Sequence, residues 1–258
     1  MEKNQFDYDE VYRLARDYSD RFMDWWDSDL TKTVPLDLLT RNCADFLPIW
    51  WDPDKYDWYH SDELAIRCSK YLPIWWDPDR FNWRTGSWAL ARRCYRYFDI
   101  WWDPDRFDWV TGSWYLAEYC TKYFRKWWDP DRFDWKSSSR ALAKYCSQYF
   151  DLWWDPDKYN WKYDSRELAQ YCSQYFRKWW DPKRFDWKSG SRELAQYCSR
   201  YFKVWWDPRK FDWESGSIAL VLYCTEYVNP RWKKLSETAK KLLNVVKRKR
   251  QKCEILVR

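Results

Sequence analysis

Three residue types recur at a fixed interval in a way that invites chemistry. Cysteines stand at Cys43, Cys68, Cys94, Cys120, Cys146, Cys172, Cys198 and Cys224. Carboxylates cluster as Asp-Pro-Asp, from Asp52-Pro53-Asp54 to Asp155-Pro156-Asp157. Tryptophan pairs begin at Trp25, Trp50, Trp75, Trp101, Trp127, Trp153, Trp179 and Trp205, and from Trp58 to Trp213 a third Trp follows each later pair. A thiol ladder could hold zinc or form disulfides. It lacks the C-x-x-C spacing of zinc sites, and the single His60 adds almost no second ligand type. Cysteines one helical rung apart, roughly 8–10 Å, are too distant for a disulfide, which needs Cα atoms within about 7 Å. The cysteines therefore read as small apolar residues on a buried face. The Asp clusters lack the Gly turn and the later bidentate Glu of a calcium loop, and read as helix caps. Nucleophilic catalysis needs a base within reach, and carboxylates repeated equally in every copy are not the unique constellation of an active site. No phosphate-cradling Gly-rich motif exists among the four glycines. These readings leave no enzyme, no cofactor and no metal. The Trp positions could form cages or base-stacking platforms. Their recurrence fits a core, with the second Trp of each pair the more exposed.

The elements that carry these residues follow from one repeat. The pair spacing is 25, 25 and then 26 residues five times, and the cysteines keep the same step. Numbering each copy from its first Trp, the consensus of the copies reads WWDPDRFDWKSGSRELAQYCSQYF. In Ser165 to Trp180, the residues Leu168, Cys172, Tyr175, Phe176 and Trp179 fall on one face of an α-helix. Ser165 is the expected N-cap, and the Gly or Asp before it, at position 12, the expected tight turn. Asp-Pro ends that helix and opens a second piece, with Asp as cap and Pro in the first turn. That piece, DPDRFDW, is long enough for one helical turn or a 3₁₀ segment.

The fold expected is all-α: an elongated α-solenoid of about eight ~26-residue repeats, each a long helix plus a short helical turn, because a unit this short must stack to bury its apolar face. Residues 1–24 read as an N-terminal partial repeat, in which Phe6-Asp7-Tyr8 mimics positions 7 to 9. Residues 25–230 form the WWDP array; its first copy is degenerate, with Asp27-Ser28 and Thr33 replacing Asp-Pro and Trp. Residues 231–258 read as a basic C-terminal capping helix and tail, with Leu235, Ala239, Leu242, Leu243 and Val246 as its apolar stripe and Cys253, off the repeat register, as the expected exposed thiol. The unit resembles leucine-rich-repeat-variant and HEAT-type solenoids in its long-helix/short-helix plan, though WWDP is not their signature. Such a likeness implies architecture and not function.

Charge narrows the partner. The chain carries +6 overall, but residues 231–258 hold eleven Lys/Arg against two Asp/Glu, a net of +9, which leaves −3 on the rest. A phosphate-tracking groove would need the opposite sign. The expected function is a non-catalytic scaffold that binds a protein or peptide where the copies differ, at positions 14, 18 and 22 of the long helix. Trp88, Trp114, Arg92, Arg140, Arg166 and Arg192 are the contact residues this reading selects, with the two tryptophans on adjacent rungs of an otherwise polar face. The competing class is an RNA- or DNA-binding repeat protein that uses exposed aromatics, Arg/Lys and the tail. There Lys247-Arg248-Lys249-Arg250 would be a polyanion patch or nuclear address; it also admits peripheral contact with an anionic membrane. The acidic MEKNQFDYDE start has no apolar signal-peptide core, no run spans a bilayer, and unpaired thiols point to a reducing cytoplasmic setting.

Overall fold

A computed structural model describes residues 8–26 and 34–256, the last seven by backbone alone. Among the described residues all regular structure is helical. The longer helices are α1 (Tyr8–Asp17), α2 (Leu36–Asn42), α3 (Ser61–Arg67), α4 (Trp83–Arg93), α5 (Trp109–Tyr119), α6 (Trp135–Tyr145), α7 (Trp161–Tyr171), α8 (Trp187–Tyr197), α9 (Trp213–Tyr223) and α10 (Glu237–Leu256). A 3₁₀ turn and a four-residue helix follow most of them, as Ser173–Tyr175 and Phe176–Trp179 follow α7. The chain divides into two compact units, Met1–Asp134 and Trp135–Arg258. Within each, successive long helices stack in register, the solenoid plan.

The repeat boundaries differ from the sequence expectation at two points. The long helix begins at the position-9 Trp, four residues before Ser165, so Ser165 lies inside it and the expected cap moves to position 8. Asp108, Asp186 and Asp212 do the capping, accepting from the backbone N–H two residues on at 3.0, 3.1 and 3.2 Å. Position 12 is helix and not a turn: no glycine has a positive φ. Glycine is used there for room, since a Cβ on Gly190 would sit 2.3 Å from the Phe185 ring. The helix also ends earlier than the apolar pattern implies. It breaks at Cys172 (φ −115°, ψ 23°), so Leu168 to Trp179 is one face of three short pieces. The break lets Trp179 Nε1 donate to the Cys172 carbonyl at 2.8 Å, a bond that recurs from Trp50 to Trp205. Asp-Pro opens a single helical turn as expected: Asp77 Oδ1 accepts from the N–H groups of Asp79 and Arg80, and the Phe81 N–H reaches the Asp77 carbonyl at 3.0 Å.

The core sits between rungs. The first Trp of each pair from Trp50 to Trp205 is 1% exposed, and the second is half-buried. Each full burial removes of order 150–250 Å² from water, about 4–6 kcal/mol before entropic costs. Rings continue the packing across rungs: Phe98 stacks on Tyr123 at 4.4 Å in the first unit, and Phe176 on Tyr201 at 4.5 Å in the second. The eight ladder cysteines are buried and form no disulfide. Their thiols point at position-17 carbonyls of the preceding rung, as Cys120 Sγ to Ala91 O at 3.5 Å. That carbonyl lies in the last helical turn, where the helix offers no N–H partner. The first residue of the tail stripe, Leu235, precedes α10; Leu235, Ala239 and Leu243 are buried, and Leu242 and Val246 half-buried. Phe6, Asp7, Asp27, Ser28 and Thr33 lie outside the described residues, as do the side chains of Tyr8, Arg250 and Cys253.

Candidate interaction surface

The outer strip of the long helices carries the residues the sequence selected, and the structure sorts them into three settings. In the first unit, α4 presents Trp88 and Arg92, and α5 presents Trp114, Tyr115 and Tyr119. Trp88 and Trp114 are both half-buried and not fully exposed. Trp88 packs on Tyr115 of the next rung, with ring centres 5.5 Å apart. Tyr115 stacks one turn on with Tyr119 at 6.4 Å, and the Arg92 guanidinium lies 6.0 Å from the Tyr115 ring. Trp114 turns its Nε1 to Glu118 Oε2 at 2.9 Å. The outcome is an arginine-flanked aromatic cluster centred on Tyr115, a residue the sequence reading passed over. Its position-15 slot, otherwise Ala, Glu or similar, gave the signal.

In the second unit the same slots hold charge. Arg140, Arg166 and Arg192 are exposed at position 14 of α6, α7 and α8. Arg166 donates to Glu167 Oε1 at 3.0 Å, and the neighbouring Glu193 also raises its pKa. Glu167 is 5% exposed, and its Oε2, like that of Glu193, has no hydrogen-bond partner. Arg140 faces Asp164, whose carboxyl burial pushes upward while the Ser139 hydroxyl, donating at 2.8 Å, pulls it back. The copy after Arg192 carries Ala219 where the copy after Arg166 carries Glu193, so Arg192 lacks that second carboxylate. Position 14 is thus partly a rung-to-rung contact.

The third setting is the tail. Lys247, Arg248 and Lys249 are exposed on α10, while the Arg250 side chain lies outside the described residues.

Two rows escaped the sequence reading. Position 26 exposes Ile49 (47%), Ile74 (49%) and Ile100 (51%) in the first unit, and Leu152 and Val204 in the second. The twice-repeated Leu-Pro-Ile-Trp was its signal. Position 19 lines α6 to α9 with Tyr145, Tyr171, Tyr197 and Tyr223, the last two exposed. The carboxylate clusters are tied into the scaffold. Arg80, Arg106, Arg132 and Arg184 reach back to Asp54, Asp79, Asp105 and Asp157 of the preceding copy at 2.7–2.9 Å. His60 Nδ1 meets Asp57 Oδ2 of the same turn at 3.1 Å. Burial pushes the Cys68 thiol up to about 12, so it stays protonated at neutral pH. Among the described residues no group of three or more His, Cys, Asp or Glu could hold a metal, and no helix is long and apolar enough to cross a membrane. The chain matches no family model, no curated protein and no solved structure.

Proposed function

We propose that the protein is a non-catalytic helical-repeat scaffold that binds a protein or peptide along the outer strip of its long helices. The observation that carries this reading is the cluster of Trp88, Tyr115, Tyr119 and Arg92 in the first unit. Trp, Tyr and Arg supply most of the energy in protein interfaces, because they bury large area at low entropic cost and keep a polar handle. The second unit adds the exposed Arg140, Arg166 and Arg192, which favour an acidic segment as ligand. The net charge of −3 on residues 1–230 weighs against a phosphate-tracking groove. The buried ladder thiols, which form no disulfide, support a reducing, cytoplasmic setting.

The test is selection of displayed peptides on the immobilised full chain, followed by affinity measurement with a Trp88→Ala/Trp114→Ala variant. Selected peptides are expected to be acidic with aliphatic or aromatic anchors, and to lose at least about tenfold in affinity on the variant, the scale of one lost anchor. The circular dichroism spectrum should stay unchanged. Equal affinity for the variant would sink the proposal. So would RNA or DNA binding that falls steeply with salt and survives removal of residues 231–258.

A further inference from the structure

The last WWDP copy departs from the others in a way that opens a pocket. In interior copies the position-4 proline carbonyl accepts two donors. One is the Trp at position 9 of the same copy; the other is the position-6 cation of the next copy. Pro156 O accepts Trp161 Nε1 at 2.7 Å and Arg184 Nη1 at 2.6 Å. Pro182 O accepts Trp187 Nε1 at 3.2 Å and Lys210 Nζ at 2.9 Å, with Lys210 lying over the Trp187 ring at 5.9 Å. No further WWDP copy follows Pro208. Among the described residues its carbonyl accepts Trp213 Nε1 alone, at 3.0 Å.

The place where a cation would lie is remodelled. Position 5, Asp54, Asp79, Asp105, Asp131 and Asp157 in five earlier copies, is Arg209. Arg209 has a side chain 89% exposed, and among the described residues its guanidinium pairs with its own Asp207 alone, at 3.4 Å. Trp232 arrives from the connection to α10. It stacks on Trp206 at 4.9 Å and 14°, and stands edge-on to Trp213 at 5.7 Å and 85°. Lys233 and Lys234 follow it. These residues surround a cavity of about 300 Å³ beside Pro208.

Three indoles, three cations and one carbonyl with spare acceptor capacity define the ligand chemistry. A quaternary ammonium would suit indole faces, but Arg209, Lys233 and Lys234 would repel it. A neutral apolar ring would leave Lys233 and Lys234 without a counter-charge. A flat ring with an attached anion answers both. The ring extends the Trp206–Trp232 stack, and the anion draws charge-assisted bonds from the three side chains. We propose that this C-terminal pocket binds a nucleobase carrying a phosphate, as a free nucleotide or as one nucleotide of a single strand. None of the contact residues named for the long-helix strip lines this pocket, which does not depend on the function proposed there.

Titration calorimetry on the full chain tests it with adenosine 5′-monophosphate, adenosine, ribose 5-phosphate and a short oligo-dA strand. Adenosine 5′-monophosphate or the strand should bind, and the tighter of the two names the source. Adenosine should bind about tenfold more weakly, the scale of one charged hydrogen bond, and ribose 5-phosphate should give no heat. Arg209→Asp installs the residue that five other copies carry, so it should keep the helical spectrum and melting temperature while losing at least about tenfold in affinity. Trp232→Ala should abolish binding. The proposal is overturned if neither nucleotide probe binds, if ribose 5-phosphate binds as well as the nucleotide, or if Arg209→Asp leaves the affinity unchanged.

Discussion

At the scale of single residues, one serine hydroxyl per copy joins neighbouring long helices. Ser191 is fully buried. It donates to the Trp187 carbonyl at 2.6 Å within its own helix and accepts the Asp212 N–H at 2.9 Å from the next copy. Asp212 is the residue that caps α9, so the hydroxyl fixes where the next helix starts. The same pairing runs through Ser87 with Asp108 and Ser165 with Asp186. Ser191→Ala leaves the Asp212 N–H without its acceptor. The expected loss is about 1–3 kcal/mol, the cost of an unsatisfied buried donor. Ser189→Ala removes an exposed hydroxyl that donates to Asp186 at 2.7 Å, and should change stability by less than about 0.5 kcal/mol. Urea unfolding of the two variants, with amide exchange read at Asp212, checks the contrast. If both variants unfold alike and the Asp212 amide keeps its protection, the hydroxyl is not the link between rungs.

At the scale of elements, the question is which position-14 arginines hold helices together and which are free to bind. Arg166 answers a carboxylate on Glu167 that is almost wholly buried. Arg166→Ala would leave that charge with no cation bonded to it, a change costing about 1–2 kcal/mol once the exposed half of the guanidinium is allowed for. Arg192 is exposed, and the next copy carries Ala219 where Arg166 has Glu193, so Arg192→Ala should leave stability within about 0.5 kcal/mol while weakening any acidic ligand. Thermal unfolding with a calorimetric binding arm separates the two, and equal destabilisation by both would refute the division of labour. This distinction was not legible in the sequence, where all three arginines occupy one strip. Helix periodicity places a residue on a face, but it does not say which residue of the next copy fills the gap beside it. The helix start was misread for a related reason. Gly190 carries the composition of a turn, yet it is inside α8 because Phe185 fills the space a side chain would take. What the spacing did reveal was the copy length, the burial of Trp50 to Trp205 and the Asp77-type caps. Each of these depends on register alone. The Trp232 pocket depends on how the last copy departs from the register, so it became visible only in three dimensions.

At the scale of the whole molecule, four kinds of contact recur between neighbouring copies within each unit, and this makes the copy the unit of stability. In the second unit they are Asp212 N–H to Ser191, Cys224 Sγ to Ala195 O, Arg184 to Asp157 and Phe202 on Tyr227. Each joins a copy to its immediate neighbour in sequence, so stability should add up from copies and nearest-neighbour interfaces instead of one central core. Excising residues 187–212 then removes one full register step. It joins Asp186, a position-8 cap, directly to Trp213, a position-9 helix start, and so rebuilds a native junction. Ser165 still meets Asp186, and Cys224 takes the place of Cys198 opposite Ala169. The shortened chain should keep the helical spectrum per residue and a cooperative melt. Its urea dependence should fall in proportion to the surface lost, since the m-value follows the area exposed on unfolding. Excising residues 187–199 instead cuts half a step. It places Arg200, a position-22 residue, after the Asp186 cap, and puts the Cys224 ladder and the Trp205 core out of phase with the preceding rung. That variant should lose its cooperative transition. Circular dichroism melts of the two deletions decide the matter: if the half-step deletion melts as cooperatively as the full-step one, register between copies is not what holds the array together.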